Sequence, residues 1–142
     1  MPMRPELTTT CEVPITFGDL DPMGIVWHGN YVKFMERGRE AFGRAHGLDA
    51  MKIFDLGFTT PVVRTVIDHK AMLEYGDIVE IATTYIPQAA AKVLLRYRIK
   101  AKGRNAIAAL AETTQVFLDK ERKLQLIAPP FYLEWKQRHG IQ

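Results

Sequence analysis

The sequence predicts an α+β domain in which a curled antiparallel sheet of four or five strands wraps one long helix. Three observations carry the prediction. Helical periodicity runs from Asn30 to about His46, and strand-type patterning runs from Thr59 to about Leu118. Between the helix and the strand before it lies a fifteen-residue polar stretch, Phe17 to Tyr31. The sheet has one face to bury and the chain offers one long helix to cover it. At 142 residues, one domain is expected, with residues 1–10 as a flexible arm and 11–142 as the folded unit.

Residues 12–17 alternate Glu12, Val13, Pro14, Ile15, Thr16, Phe17, as a half-buried strand does. Pro14 cannot donate to a ladder, so this strand is expected at an edge, or with the proline turned from its neighbour. In the helix, Tyr31, Phe34, Met35, Gly38, Phe42 and Ala45 share one face. Glu40 and Arg44 form an i,i+4 pair on the other. Asn30 is expected as the N-cap and Gly47 as the C′ residue. Gly38 in mid-helix implies a close approach to a packed surface, because glycine there costs about 1 kcal/mol against alanine. Residues 48–56 suit a short turn of helix.

Strands follow at Thr59 to Met72 and Asp77 to Ile86, then a break at Pro87 to Ala91. The cleanest alternation comes next, with Leu95, Tyr97, Ile99 and Ala101 against Arg96, Arg98, Lys100 and Lys102. Residues 102–105 suit a hairpin turn, and Asn105 to Leu118 is alanine-rich. A turn at Asp119 to Lys123, a short last strand at Leu124 to Ile127 and a C-terminal helix near Tyr132 to His139 complete the expectation. A strand beginning near Asn105 or Asp77 is expected to be the open edge that pairs with a second copy.

A net charge of +3 suits small anionic ligands and is too weak to argue for nucleic acid. Cys11 is the single cysteine, so no internal disulfide forms and a reducing, cytoplasmic setting is expected. No apolar run approaches the roughly 20 residues needed to span a bilayer. The four histidines show no metal-binding spacing, and phosphate-loop, dinucleotide and serine-nucleophile motifs are absent. No metal site is expected.

What remains is the Phe17–Tyr31 stretch, longer than an ordinary connection. A carboxylate serves as nucleophile, or as general base on water, where a carbonyl is held and polarised beside it. Asp21 precedes Pro22, so its carboxylate projects from a fixed bend, whereas Asp19 reads more readily as a turn or cap residue. The N–H groups of His28 and Gly29, just before the helix, can supply the polarisation.

Phe17-Gly18-Asp19-Leu20-Asp21-Pro22-Met23-Gly24-Ile25-Val26-Trp27-His28-Gly29-Asn30-Tyr31, followed by Phe34-Met35-Glu36-Arg37, resembles the signature of the hot-dog-fold acyl-CoA thioesterases. It is similar to the 4-hydroxybenzoyl-CoA thioesterase branch and the YbgC-type enzymes. Thr60-Pro61-Val62-Val63-Arg64, Asp77 and Gln115-Val116-Phe117 follow in the family's order. The resemblance implies hydrolysis of an aromatic or short-to-medium acyl-CoA to the free acid and coenzyme A. Asp21 and His28 are then the catalytic positions, His28 through its backbone N–H. Gly24, Trp27, Tyr31, Thr60 and Arg64 are expected to face the substrate, with Phe54, Phe58 and Met72 shaping the acyl pocket. Lys92, Lys70 and Arg104 are expected at the coenzyme A phosphates. In place of the 4-hydroxybenzoyl branch's basic cluster, residues 88–92 read Gln-Ala-Ala-Ala-Lys, and position 28 carries the histidine of the YbgC-type enzymes. No cofactor is implied, since coenzyme A is part of the substrate. The implied assembly is a homodimer or a dimer of dimers with an interfacial site. An acyl-CoA-binding protein without catalysis, or a hydrolase of acyl carrier protein thioesters, are the alternatives.

Overall fold

The computed structural model describes residues 6–141. Five strands, β1 (Thr8–Pro14), β2 (Val62–His69), β3 (Ile78–Ile86), β4 (Lys92–Ala101) and β5 (Ile107–Val116), form one antiparallel sheet in the order β1-β3-β4-β5-β2. It curls around α1 (Tyr31–His46), and two shorter helices, α2 (Ala50–Asp55) and α3 (Pro130–Arg138), flank it. The α+β class and the wrapped helix are as expected.

Tyr31, Phe34, Met35, Gly38 and Phe42 of α1 are buried, while Ala45 at the end of the same pattern is exposed. Opposite them the inward residues of the sheet are almost fully covered, among them Val79, Ile81, Tyr85, Leu95, Tyr97 and Ile99. Arg96 and Arg98 of β4 face solvent, so the period-two pattern holds along that strand. Gly38 has a steric reason. A Cβ there would lie 2.4 Å from Thr83 Oγ1 and 2.7 Å from Ile81 Cγ2, so the helix sits directly on β3. Gly47 ends the helix at φ +82°, in the left-handed region glycine adopts freely.

Several boundaries differ from expectation. The first strand begins at Thr8 and ends at Pro14, because Thr8–Thr10 pair with Thr84–Ala82 of β3. That part of the expected arm is therefore sheet, while residues 1–5 lie outside the described residues. Pro14 lies in an edge strand, as its missing donor requires. Leu124–Ile127 makes no strand. Leu124 forms a single bridge to Leu118, and Leu126 and Ile127 are exposed. The strands that begin near Asp77 and Asn105 are β3 and β5, and both have neighbours on either side. The open edges are those of β1 and β2 instead. Non-local pairing decides edge and interior, and local patterning does not contain it.

His46 ties α1 to α3. The Trp135 indole N–H donates to the His46 carbonyl at 2.6 Å, and the His46 ring lies 4.5 Å from Phe42 and 6.2 Å from His139. Its Nε2 is buried without a hydrogen-bond partner. Burial, and to a lesser extent the neighbouring His139, push its imidazole below the usual histidine range. An unfolded histidine takes up a proton near pH 6.5. The folded protein resists that proton, so the unfolded chain binds more protons on the acid side. Stability is therefore undiminished above about pH 6.5 and falls as the pH drops from there toward the lowered folded value. Urea unfolding from pH 7.5 to 5 is expected to show this decline in the wild type and a shallower one in His46→Gln.

Candidate active site

After Pro14 the chain leaves the sheet through an Ile15 N–H bond to the Asp77 carbonyl at 2.9 Å. Phe17–Asp19 form a 3-10 turn in which the Asp19 carboxylate accepts from the Thr16 N–H at 2.8 Å and the Thr16 hydroxyl at 3.0 Å. Asp19 is thus a capping residue. Leu20 and Val26 then bridge, closing a small hairpin with the Asp21 N–H on the Ile25 carbonyl at 2.8 Å. Its tip is a turn in which the Gly24 N–H reaches the Asp21 carbonyl at 3.0 Å, with Pro22 in the position that favours its fixed φ. The hairpin is docked by Ile25 on Glu74 and by the Val26 N–H on the Leu73 carbonyl.

Asp21 is half-buried at this bend. One carboxylate oxygen accepts the Met23 N–H at 2.8 Å. Among the described residues the other has no hydrogen-bond donor. The side chain is thereby aimed while keeping an oxygen free.

The loop's return is pinned at one atom. The Asp19 carbonyl accepts the Trp27 N–H and the Asn30 side-chain amide, each at 2.9 Å. His28–Asn30 form a 3-10 turn leading directly into α1. Asn30 is buried, has helical φ and ψ and makes no side-chain cap, so its expected capping role is replaced by this tie to Asp19. Among the described residues neither the His28 nor the Gly29 N–H has a partner. Two donors at the positive end of a helix thus stand open beside the Asp21 hairpin.

Aromatic rings surround this turn. Trp27 lies 5.5 Å from His28, His28 lies 6.5 Å from His69, and His69 lies 4.6 Å from Tyr31. Tyr31 is buried, and that burial pushes its phenol up. Its ring is therefore core behind the site. His69, the last residue of β2, joins the site from a distant part of the chain. It is 41 positions from His28, and no local pattern signals their approach.

The expected residues fall at two ends of the sheet. Asp21, Gly24, Trp27, His28 and Tyr31 belong to the loop end, where β2 terminates and Lys70 and Arg104 also lie. Arg104 is paired there with Asp77. Thr60, Arg64 and Lys92 lie toward the far end, since the eight residues of β2 span roughly 25 Å. Arg64 pairs with Glu112 at 3.3 Å. Thr60 lines a cleft of about 750 Å³ between α1, α2 and the beginning of β4, with Phe42, Ile53, Phe54 and Leu95 on its walls. Within the chain this cleft and the Asp21 loop are separate.

The model of the Thioesterase-like superfamily matches residues 15–136. The chain belongs to that superfamily. It is 29% identical over 110 residues to the "Putative acyl-CoA thioesterase YneP" of Bacillus subtilis, covering 78% of this chain and 79% of that protein. The 4-hydroxybenzoyl-CoA thioesterase of Pseudomonas sp. strain CBS-3 superposes with a TM-score of 0.76 at 26% identity, over 90% of this chain and 98% of that one. The DHNA-CoA thioesterase of Staphylococcus aureus superposes with a TM-score of 0.83 at 18% identity, over 94% and 91%. At that identity the likeness establishes the fold, which is the hot-dog fold. As a member of this superfamily the chain is an enzyme of the thioester-hydrolase class. Among the described residues no helix is long and apolar enough to cross a membrane.

The Asp19 tie makes Asn30 a positioning residue. Asn30→Ala leaves the Asp19 carbonyl with one donor and opens a buried polar site, an expected loss of about 1–3 kcal/mol in urea unfolding. Turnover is expected to fall more than the Michaelis constant rises, because the carboxylate and the open N–H groups lose their fixed separation.

Proposed function

We propose that this protein hydrolyses an acyl-CoA thioester to the free acid and coenzyme A, with Asp21 and the N-terminal turn of α1 as its catalytic machinery. The observation that carries the reading is the Asp21 carboxylate, with one oxygen bound to Met23 N–H, pinned through Asp19 to a turn with two open donors. The thioester carbonyl accepts the His28 backbone N–H, with that of Gly29 beside it, and charge developing on its oxygen meets the positive end of the helix. In the general-base route, Asp21 takes a proton from water as the water oxygen bonds to the carbonyl carbon. The C–S bond then breaks, and the coenzyme A thiolate leaves and takes up a proton. In the nucleophilic route the Asp21 oxygen bonds to the carbonyl carbon, the C–S bond breaks with loss of the coenzyme A thiolate, which takes up a proton, and water hydrolyses the resulting mixed anhydride to the free acid and restores the Asp21 carboxylate. Neither route needs a cofactor.

A second copy completes the site. The β2 edge is open and Val63 on it is exposed. Antiparallel pairing of two β2 strands about a two-fold axis sets the Thr60 end of one copy beside the His69 end of the other. The cleft of one protomer then adjoins the Asp21 loop of its partner, which explains why the expected residues divide between two ends. The position of Lys70 and Arg104 at the loop end supports a reading in which they meet the coenzyme A phosphates, and Lys92, at the opposite end of the same protomer, would meet them only from the second copy.

Asp21→Asn keeps the side chain's shape and removes its basicity. Turnover is expected to fall at least about a hundredfold with the fold intact by circular dichroism. His28→Ala retains the main-chain donor, so its effect should stay well below the roughly 3 kcal/mol lost with an oxyanion donor. A folded Asp21→Asn protein with near-normal thioester hydrolysis would rule the assignment out.

A further inference from the structure

A turn that presents two open donors cannot hold itself in place with them. Its internal bonds use other groups. The Asn30 N–H donates to the Trp27 carbonyl at 2.9 Å, and the Tyr31 N–H donates to the His28 carbonyl. The His28 and Gly29 N–H groups are left over, so the direction of the His28 N–H depends on what the His28 side chain touches. That direction matters, because a donor stabilises an oxyanion only when aimed where the charge develops.

The His28 imidazole is exposed and makes no side-chain hydrogen bond among the described residues. Rings brace it on two sides instead. On one side Trp27 lies 5.5 Å away at 60°. That indole is itself seated, since a Cβ on Gly29 would lie 2.5 Å from two of its ring carbons. It belongs to the same turn, however, and moves with it. On the other side His69 stands at 6.5 Å and 90°. His69 is held by contacts independent of the turn. It pairs with Ala109 of β5, and the N–H of Lys70 after it donates to the Ala108 carbonyl at 2.7 Å. Its ring meets the Tyr31 ring at 4.6 Å and 83°, and Tyr31 is only 3% exposed. Sheet and core thus fix His69, and His69 meets His28. Edge-to-face ring contacts at such separations carry a directional preference beyond the area they cover.

We infer that His69 is a positioning residue for the oxyanion donor: its ring, held on Tyr31, braces the His28 imidazole and so sets the direction of the His28 N–H. The inference rests on the thioesterase reading above and adds a residue to that same site. The role needs a flat ring at the end of β2 and does not need its proton. A flat side chain without a titratable group therefore serves at position 69, and an aliphatic one does not.

Three variants test this. His69→Phe keeps the flat ring, His69→Leu keeps bulk without a flat face, and His69→Ala removes the side chain. Thiol release is measured with whichever acyl-CoA of an aliphatic and aromatic panel the wild type cleaves fastest. Turnover is expected to fall about tenfold in His69→Ala and His69→Leu with the Michaelis constant within about twofold, because a misaimed donor is felt in the transition state. His69→Phe should stay within about threefold of the wild type. Nuclear relaxation of the His28 and Gly29 backbone amides reads the brace without any catalysis. Order parameters near about 0.85 are expected in the wild type and His69→Phe, falling toward about 0.6 in the other two. Undiminished turnover in His69→Ala and His69→Leu, an equal loss in all three variants, or amide order unchanged by losing the ring each overturns the inference. No thiol release by the wild type, with amide order still following the ring, removes the hydrolase reading and leaves the brace. Thiol release with amide order indifferent to position 69 removes the brace and leaves the hydrolase.

Discussion

One carbonyl oxygen organises the active end of this molecule. Asp19 accepts from Thr16 at its carboxylate and from Trp27 and Asn30 at its carbonyl, so a single residue fixes where the loop begins and where the helix starts. A loop of this length has a large conformational entropy to lose, and a few hydrogen bonds with two anchor points restrict it effectively. The Asp21 hairpin hangs between those anchors and is docked on Leu73 and Glu74. Carboxylate and helix terminus are therefore held in one frame before any ligand arrives, which is what electrostatic stabilisation of a developing oxyanion demands.

That frame depends in turn on the helix lying in a definite place within the sheet. Gly38 against Thr83 and Ile81 sets the distance between α1 and β3. Buried hydroxyls then fix the sheet's interior. Tyr97 bonds Thr113 at 2.7 Å, and burial pushes its phenol up to about 12. Tyr85 and Tyr132 bond each other, and the Tyr132 hydroxyl also reaches the Lys92 carbonyl. These are neutral, paired polar groups in a close-packed interior, where a missing partner would be costly. The Tyr85–Tyr132 and Tyr132–Lys92 bonds link the C-terminal helix to the sheet.

The parts legible in the sequence are those whose cause is local. The period of α1, its glycine terminator, the close approach at Gly38, the alternation of β4 and the edge position of Pro14 all follow from residue type and spacing. The long polar stretch also announced itself, since no ordinary connection needs so many turn residues. What could not be read depends on distant partners. Thr8–Thr10 lack a hydrophobic pattern and become strand because β3 offers its edge. Leu124–Ile127 has strand-like residues and lacks a neighbour. Asn30 looks like a cap and is instead a tie to Asp19, eleven residues earlier. The seat of Trp27 on Gly29 and the arrival of His69 beside His28 are properties of three-dimensional placement alone.

The central claim is that this loop and helix terminus break a thioester rather than merely hold one. Release of free thiol from a panel of aliphatic and aromatic acyl-CoAs by the wild-type protein measures that step directly. Many equivalents of coenzyme A released per chain from at least one of them is the predicted result. Saturable acyl-CoA binding with no thiol released from any of them would contradict the account.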